Sequence, residues 1–322
     1  MYTISELNKL IEQEIENLKL PESPRKLYNP IQYILSLGGK RIRPILLLLS
    51  HQLFNENIKS ALPAALSIEV FHNFTLLHDD IMDKAPLRRG YSTVHNKFGY
   101  NNAILSGDTM LIKAYELLLE TKNKNINQVL NIFNSIAIKV CEGQQLDMDF
   151  ESKMNVSIDE YLDMIKYKTS MLFAGGLQIG GVLGGCDKKE SKALYNFGID
   201  IGIAFQLQDD LLDLYSESST FGKKQGGDIL VNKKTVLYLK ALDLANMKQK
   251  RILVKCFSDI SMNPDKKISV VKSIFDELDI VSYTTKLIGS YYNKSIEHLK
   301  DLNSSNKKQL IIFIENLLSR RR

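Results

Sequence analysis

Two segments, Ala61–Met82 and Glu190–Leu214, are apolar around most of a helical circumference, and each runs into a cluster of carboxylates. The first cluster is Asp79-Asp80-Ile81-Met82-Asp83 and the second is Asp209-Asp210-Leu211-Leu212-Asp213. A helix with no polar face has to be enclosed by protein, so a chain carrying two of them must surround both with other elements. Those surrounding elements are legible as helices too. Leu7, Leu10, Ile11, Ile15 and Leu18 recur at spacings of three and four, and similar patterns fill Ile31–Leu37, Pro44–Phe54, Asn102–Leu119, Asn127–Phe150, Ile158–Gly184 and Thr235–Asp243. At least three more follow between Gln249 and Leu318. Alternating strand patterns joined by hairpin dipeptides are missing, so the chain is expected to be all-α. No low-complexity linker divides it, and residues 1–322 are expected to form a single domain.

Composition narrows the function more than the fold. The net charge of +5 is modest, without the interleaved basic and aromatic clusters of a nucleic-acid-binding surface. Arg320-Arg321-Arg322 is a terminal run best read as solvated. Cys141, Cys186 and Cys256 match no metal or redox spacing, which fits buried thiols in a reducing compartment. Residues Met1 to Leu20 carry four glutamates and lack the apolar core of a signal peptide. The most apolar stretches, Pro44–Leu49 and Met171–Cys186, fall short of the ~20 residues a membrane span needs. A cytoplasmic protein with no stable membrane insertion and no nucleic-acid partner is therefore expected.

The acidic clusters carry the chemistry. Residues four apart share a helix face, so Asp79 pairs with Asp83 and Asp209 with Asp213. Each pair sets two hard oxygen ligands about 6 Å apart, an arrangement suited to Mg²⁺, which takes a few carboxylates and completes its shell with water and phosphate oxygens. Carboxylates at a helix C-terminus oppose the macrodipole, and a bound cation relieves that penalty. The clusters also sit in similar contexts, each followed by a basic, glycine-containing loop: Leu87-Arg88-Arg89-Gly90 and Phe221-Gly222-Lys223-Lys224-Gln225-Gly226-Gly227. Gly38-Gly39-Lys40-Arg41-Ile42-Arg43-Pro44 places three cations within four residues, a candidate diphosphate cradle. His72 lies two turns before Asp79 on roughly the same side.

Taken together, DDIMD at 79–83, DDLLD at 209–213, GGKRIRP at 38–44, LRRG at 87–90, GQQLD at 143–147, YKTS at 167–170, FQLQDD at 205–210 and FGKKQGGDI at 221–229 resemble the trans-isoprenyl diphosphate synthases, or polyprenyl synthetases. The resemblance implies an isoprenoid-synthase helical bundle with a central apolar cavity, working as a homodimer. It further implies a Mg²⁺-dependent prenyltransferase that condenses isopentenyl diphosphate with an allylic diphosphate. By that resemblance Asp79 and Asp83 bind two Mg²⁺ ions, and Asp209, with Asp213, holds a third. Arg88, Lys168, Gln206, Lys223 and Lys233 would touch the allylic diphosphate, and Lys40, Arg43, His72 and Arg89 the isopentenyl diphosphate. Thr169 would sit beside the reacting carbons, and Gln144 and Asp147 near the site.

Product length should depend on what lies behind Asp79 on its helix. Phe74 lies about 7–8 Å back and Phe71 about 12 Å back, so a ring at either position would act as a floor. An aromatic at Phe74 with Thr75 beside it is similar to the geranylgeranyl-producing members, which implies a C20 product, with C15 or longer chains as alternatives. A terpene cyclase is the rival of another class. It needs no second diphosphate pocket, so GGKRIRP and DDLLD weigh against it.

Overall fold

The computed structural model describes residues 2–153, 155–216, 225–259, 261–304 and 306–319. The described residues are all-α apart from one two-stranded hairpin, and the chain divides into two compact units. One unit comprises residues 1–137, 172–198 and 298–314, and the other 138–171, 199–297 and 315–322. Among the described residues, no helix is long and apolar enough to cross a membrane.

The first unit begins with α1 (Ile4–Glu16), α2 (Arg25–Ser36), α3 (Ile42–Gln52) and α4 (Leu62–Met82). Thr3 and Glu6 close a reciprocal capping box at the start of α1, and Pro63 occupies the first turn of α4, where a missing N–H costs nothing. The hairpin β1 (Leu87–Arg88) and β2 (Tyr91–Ser92) follows, then α5 (Val94–Phe98), α6 (Tyr100–Glu120) and the start of α7 (Ile126–Ser152). As its sequence requires, α4 is buried along most of its length, from Ala64 through Phe71, Phe74 and Leu77. It packs on α6, and Ser67 Oγ ties the two helices by donating to Ala114 O at 2.6 Å.

The hairpin is a departure from the sequence reading, which finds no turn dipeptide there. Arg89 (φ 54°) and Gly90 (φ 82°) are both left-handed, as a tight primed turn requires, so Arg-Gly does the work usually assigned to Asn-Gly.

The second unit is built around one core of Tyr161, Leu207, Leu211, Val236, Leu239, Leu253, Val271 and Phe275 with their neighbours. Its core residues come from α7, α8 (Ile158–Ile165), the later part of α10 (Lys188–Tyr215), α11 (Gly227–Leu230), α12 (Val236–Leu244), α13 (Met247–Ser258), α14 (Pro264–Glu277) and α15 (Ile280–His298), whereas nearly all of α9 (Met171–Gly184) and the larger part of α16 (Lys308–Leu318) belong to the first unit. The sequence reads Ile158–Gly184 as one helix, but five residues between α8 and α9, Lys166–Ser170, form a π-turn. Gly143 on α7 faces this turn. A Cβ there would lie 2.2 Å from Lys168 N, so only glycine lets the two backbones approach at this turn.

Candidate active site

In the first unit the carboxylates of the 79–83 cluster take three different roles. Asp80 is buried, Asp79 is half-buried and Asp83 is exposed at the helix cap, where its N–H donates to Asp79 O at 2.9 Å. Arg88 grips Asp80 with both arms: Nε donates to Oδ2 at 2.7 Å and Nη2 lies 2.7 Å from Oδ1. The same Nη2 stands 3.5 Å from Asp79. Burial alone would depress the Arg88 pKa, but the bonds and charges of Asp80, with Asp79 and Asp83, hold it above its ordinary value. Burial likewise raises the Asp80 pKa in spite of its guanidinium partner. The middle acid therefore anchors the hairpin's arginine, and the outer two remain the pair suited to a metal.

The GGKRIRP segment separates into inward and outward cations. Arg41, 3% exposed and at φ 46°, donates to Glu12 at 2.8 Å, to Glu69 at 2.6 Å and to Leu35 O at 3.0 Å. It is the cation of a buried structural cluster. Arg43 points elsewhere: Nη1 donates to His72 Nε2 at 3.0 Å, and its guanidinium lies 5.1 Å from the centroid of the Phe173 ring. Burial, then the charges of Arg43, Arg89, Arg88 and Arg41, push the His72 pKa well below its ordinary value, so His72 is neutral and accepts from Arg43. Arg89 donates to Gly38 O and leans over Gly39, where a Cβ would lie 2.8 Å from Nη2. Gly39, at φ 147°, is needed for both its backbone and its bareness. Lys40 is exposed beside them. Arg43 is thus bonded to His72, and the charge of Arg89 reaches the same imidazole.

Behind the acidic end of α4 lies a row of rings. Phe74 meets His78 edge-on at 4.8 Å, Phe71 lies 5.5 Å from Phe74 and 5.2 Å from Phe133, and Phe133 abuts Tyr115 at 5.0 Å. Phe71 is 1% exposed and Phe74 8%. Thr75 donates its hydroxyl proton to His72 O at 2.8 Å.

In the second unit, Lys168 Nζ lies 2.5 Å from Asp147 Oδ2, and Lys233 Nζ lies 3.9 Å from the same oxygen. Burial works to raise the Asp147 pKa, but the two lysines outweigh it and hold the group below the ordinary carboxylate value. Gln144 is one turn earlier on α7. Thr169 Oγ1 donates to Gln206 Oε1 at 2.9 Å, and Gln206 Nε2 donates to Asp210 Oδ1 at 3.0 Å. Asp210 also accepts from the Tyr161 hydroxyl. Its pKa is pushed up to about 7, by burial first and then by the charge of Asp228.

Asp209 is half-buried beside it. Asp213 Oδ2 accepts from Asp228 N at 3.0 Å and Asp213 O from Gly226 N at 2.8 Å, so this residue also secures the start of α11. Asp210, Asp213, Asp228, Lys233 and Thr235 line a cavity of about 10 Å³, roughly the size of one water. Lys223 lies outside the described residues.

Asp80, Asp210 and Tyr161 are absent from the sequence-derived site. The recurrence of a second acid in both clusters was a signal for the first two, whereas nothing in the sequence singled out Tyr161. Among the described residues no group of three or more His, Cys, Asp or Glu is arranged to hold a metal. The donor chemistry nevertheless fits Mg²⁺, because hard carboxylate pairs at Asp79/Asp83 and Asp209/Asp213 are what an ion completed by water and phosphate oxygens uses.

Comparison with known proteins supplies the context. Residues 24–278 match the family described as Polyprenyl synthetase. A geranylgeranyl diphosphate synthase of Methanosarcina mazei is 35% identical over 96% of this chain and 94% of its own length. A geranylfarnesyl diphosphate synthase of Natronomonas pharaonis is 40% identical over 74% of this chain and 76% of its own. Among solved structures, a geranylgeranyl pyrophosphate synthase superposes with a TM-score of 0.95 at 43% identity, covering all of both chains.

Proposed function

The chain belongs to the polyprenyl synthetase family and is a trans-prenyltransferase, and from this premise we propose that it joins isopentenyl diphosphate to an allylic diphosphate and releases geranylgeranyl diphosphate, C20. One observation carries the substrate assignment. Within a single unit, Asp79 and Asp83 lie at the end of the helix that carries His72, Arg88 reaches Asp79 from the hairpin, and Arg43 bonds to His72 within range of the charge of Arg89. That arrangement offers one place for a metal-bridged diphosphate and a second, purely cationic place for another.

Asp79, Asp83, Asp209 and Asp213 would hold Mg²⁺, three ions per site, with Arg88, Lys168, Gln206, Lys223 and Lys233 around the allylic diphosphate. When bound, the metal supplies neutralisation of the charge that builds on the departing diphosphate. Lys168 and Lys233, already gathered by Asp147, would add fixed positive charge at that leaving group. Arg43, Arg89, Lys40 and neutral His72 would hold isopentenyl diphosphate so that its double bond meets the allylic cation, a gain in proximity. Thr169 would present an oxygen dipole to that cation. Apolar surroundings would keep water from it.

Two further features support the wider reading. Leu105, Ile112 and Leu119, spaced by seven on α6, are 57%, 63% and 57% exposed, and we assign this stripe to a second copy of the chain in a homodimer. Of the three thiols expected to be buried, Cys256 is buried, Cys186 is half-buried and Cys141 is exposed, and all three are free, which fits a reducing, cytoplasmic setting. The family match spans residues of both compact units, which supports treating 1–322 as one functional domain.

The test is incubation with Mg²⁺, isopentenyl diphosphate and C5, C10 or C15 allylic primers, followed by chromatography of the products. Consumption of isopentenyl diphosphate with accumulation of C20 supports the proposal. Diphosphate release without its consumption would point to a cyclase and overturn it.

A further inference from the structure

We propose that Tyr161 is a positioning residue for condensation, fixing through Asp210 and Gln206 the direction in which the Thr169 hydroxyl points its proton. The inference rests on the prenyltransferase reading above and concerns residues of the second unit only.

The geometry is a four-membered relay. The Tyr161 hydroxyl donates to Asp210 Oδ2, Gln206 Nε2 donates to Asp210 Oδ1 at 3.0 Å, and Thr169 Oγ1 donates to Gln206 Oε1 at 2.9 Å. Tyr161 is 1% exposed, Asp210 3% and Thr169 7%, so three of the four members are shielded from solvent, with Gln206 half-buried between them. Gln206 is the pivotal member, because a carboxamide donates from one end and accepts at the other. With an accepting oxygen of Asp210 on one side, its NH₂ must face Asp210 and its carbonyl must face Thr169. The threonine hydroxyl has a single proton, and that proton is then committed to Gln206. What remains on Oγ1 is electron-rich, as stabilisation of a neighbouring carbocation requires and as a proton donor would not provide. Reversing the amide would aim the Thr169 proton outward and place positive hydrogen where positive charge develops.

Tyr161 touches neither substrate nor Thr169. Its contribution is to occupy Oδ2, so that the carboxylate plane is pinned and Oδ1 faces Gln206. The sequence offered no hint of this role, since Tyr161 reads as an ordinary apolar position of α8.

The test is a double-mutant cycle read by single-turnover condensation rate at saturating substrates. Tyr161→Phe keeps the ring and deletes the hydroxyl, and the rate should fall about tenfold while both KM values stay within about twofold, the signature of a lost transition-state interaction. Thr169→Val should lower the rate further. If Tyr161 acts through Thr169, the double variant should match Thr169→Val alone within about twofold. Losses that multiply, or a Tyr161→Phe enzyme with unchanged rate, would overturn the proposal while leaving the prenyltransferase reading intact, because the wild-type product assay reports on that separately. Should Tyr161→Phe fail to fold by circular dichroism, Asp210→Asn takes its place in the cycle with the same expectation and the same refutation.

Discussion

Replacing Phe74 by alanine should lengthen the product by one five-carbon unit. Phe74 and Phe71 are successive rings on α4 behind Asp79, with centroids 5.5 Å apart, and Phe71 is braced by Phe133 at 5.2 Å. Three residues of helix advance about 4.5 Å. Four carbon–carbon bonds of about 1.5 Å, zigzagging, span about 5 Å, so removing the first ring opens room for about one isoprene unit before the tail meets Phe71. The expected main product therefore moves from C20 to C25, and Phe71→Ala in addition should let it grow again. Removing a ring that is 8% exposed also costs stability, about 3–5 kcal/mol if the space does not collapse, or a fall of about 5–10 °C in Tm. The variant should accordingly be checked by circular dichroism and assayed well below its Tm, with radiolabelled isopentenyl diphosphate and thin-layer separation of the dephosphorylated chains. A folded Phe74→Ala enzyme that still stops at the wild-type length would refute the floor.

Other outcomes follow from the same geometry. Gly39→Ala should raise KM for isopentenyl diphosphate about tenfold with little change in the allylic KM, because its Cβ would displace the Arg89 guanidinium 2.8 Å away; steady-state kinetics with each substrate varied checks it. His51 is fully buried, and burial lowers its pKa from 6.5 to about 4. A histidine that stays neutral in the fold but protonates when unfolded removes stability as pH falls below about 6.5. The loss should reach about 3 kcal/mol near pH 4, and urea unfolding of His51→Gln should show a shallower pH slope than wild type over that window. Chelation of divalent ions should abolish turnover and added Mg²⁺ should restore it, measured by release of diphosphate. Ile112→Glu should shift the protein toward half its mass in light scattering if α6 is the dimer face, and an unchanged mass would discard that assignment.

Much of this was readable before folding because the relevant relations are local. Four-residue spacing puts Asp79 with Asp83 on one face, and the same helix carries His72 and Phe74, so the proposed metal pair and the proposed floor are legible from periodicity, whereas the roles of Arg43 and Arg89 come from the family resemblance. The rest depends on approach between segments distant in sequence. Arg41 looks like its neighbours Lys40 and Arg43 until Glu12 and Glu69 arrive to bury it. The π-turn at Lys166–Ser170 has no periodic signature, and the close approach it makes to Gly143 joins segments distant in sequence. Asp147 resembles any helical acid until Lys168 and Lys233 converge on it. The hairpin was hidden because two-residue strands are too short to alternate, and Arg89-Gly90 lacks the usual turn signature.

The fate of the two middle acids bears on how a polyanion enters. Asp80 is matched internally by Arg88, and Asp210 is held by Tyr161 and Gln206 with its ionisation deferred to about pH 7. A tally of three negative charges thus overstates what either motif presents to an approaching anion. Each motif is partly neutralised in advance, while its outer acids, the proposed metal pair, keep their oxygens. Swapping a middle aspartate for asparagine should then disturb capture less than swapping an outer one.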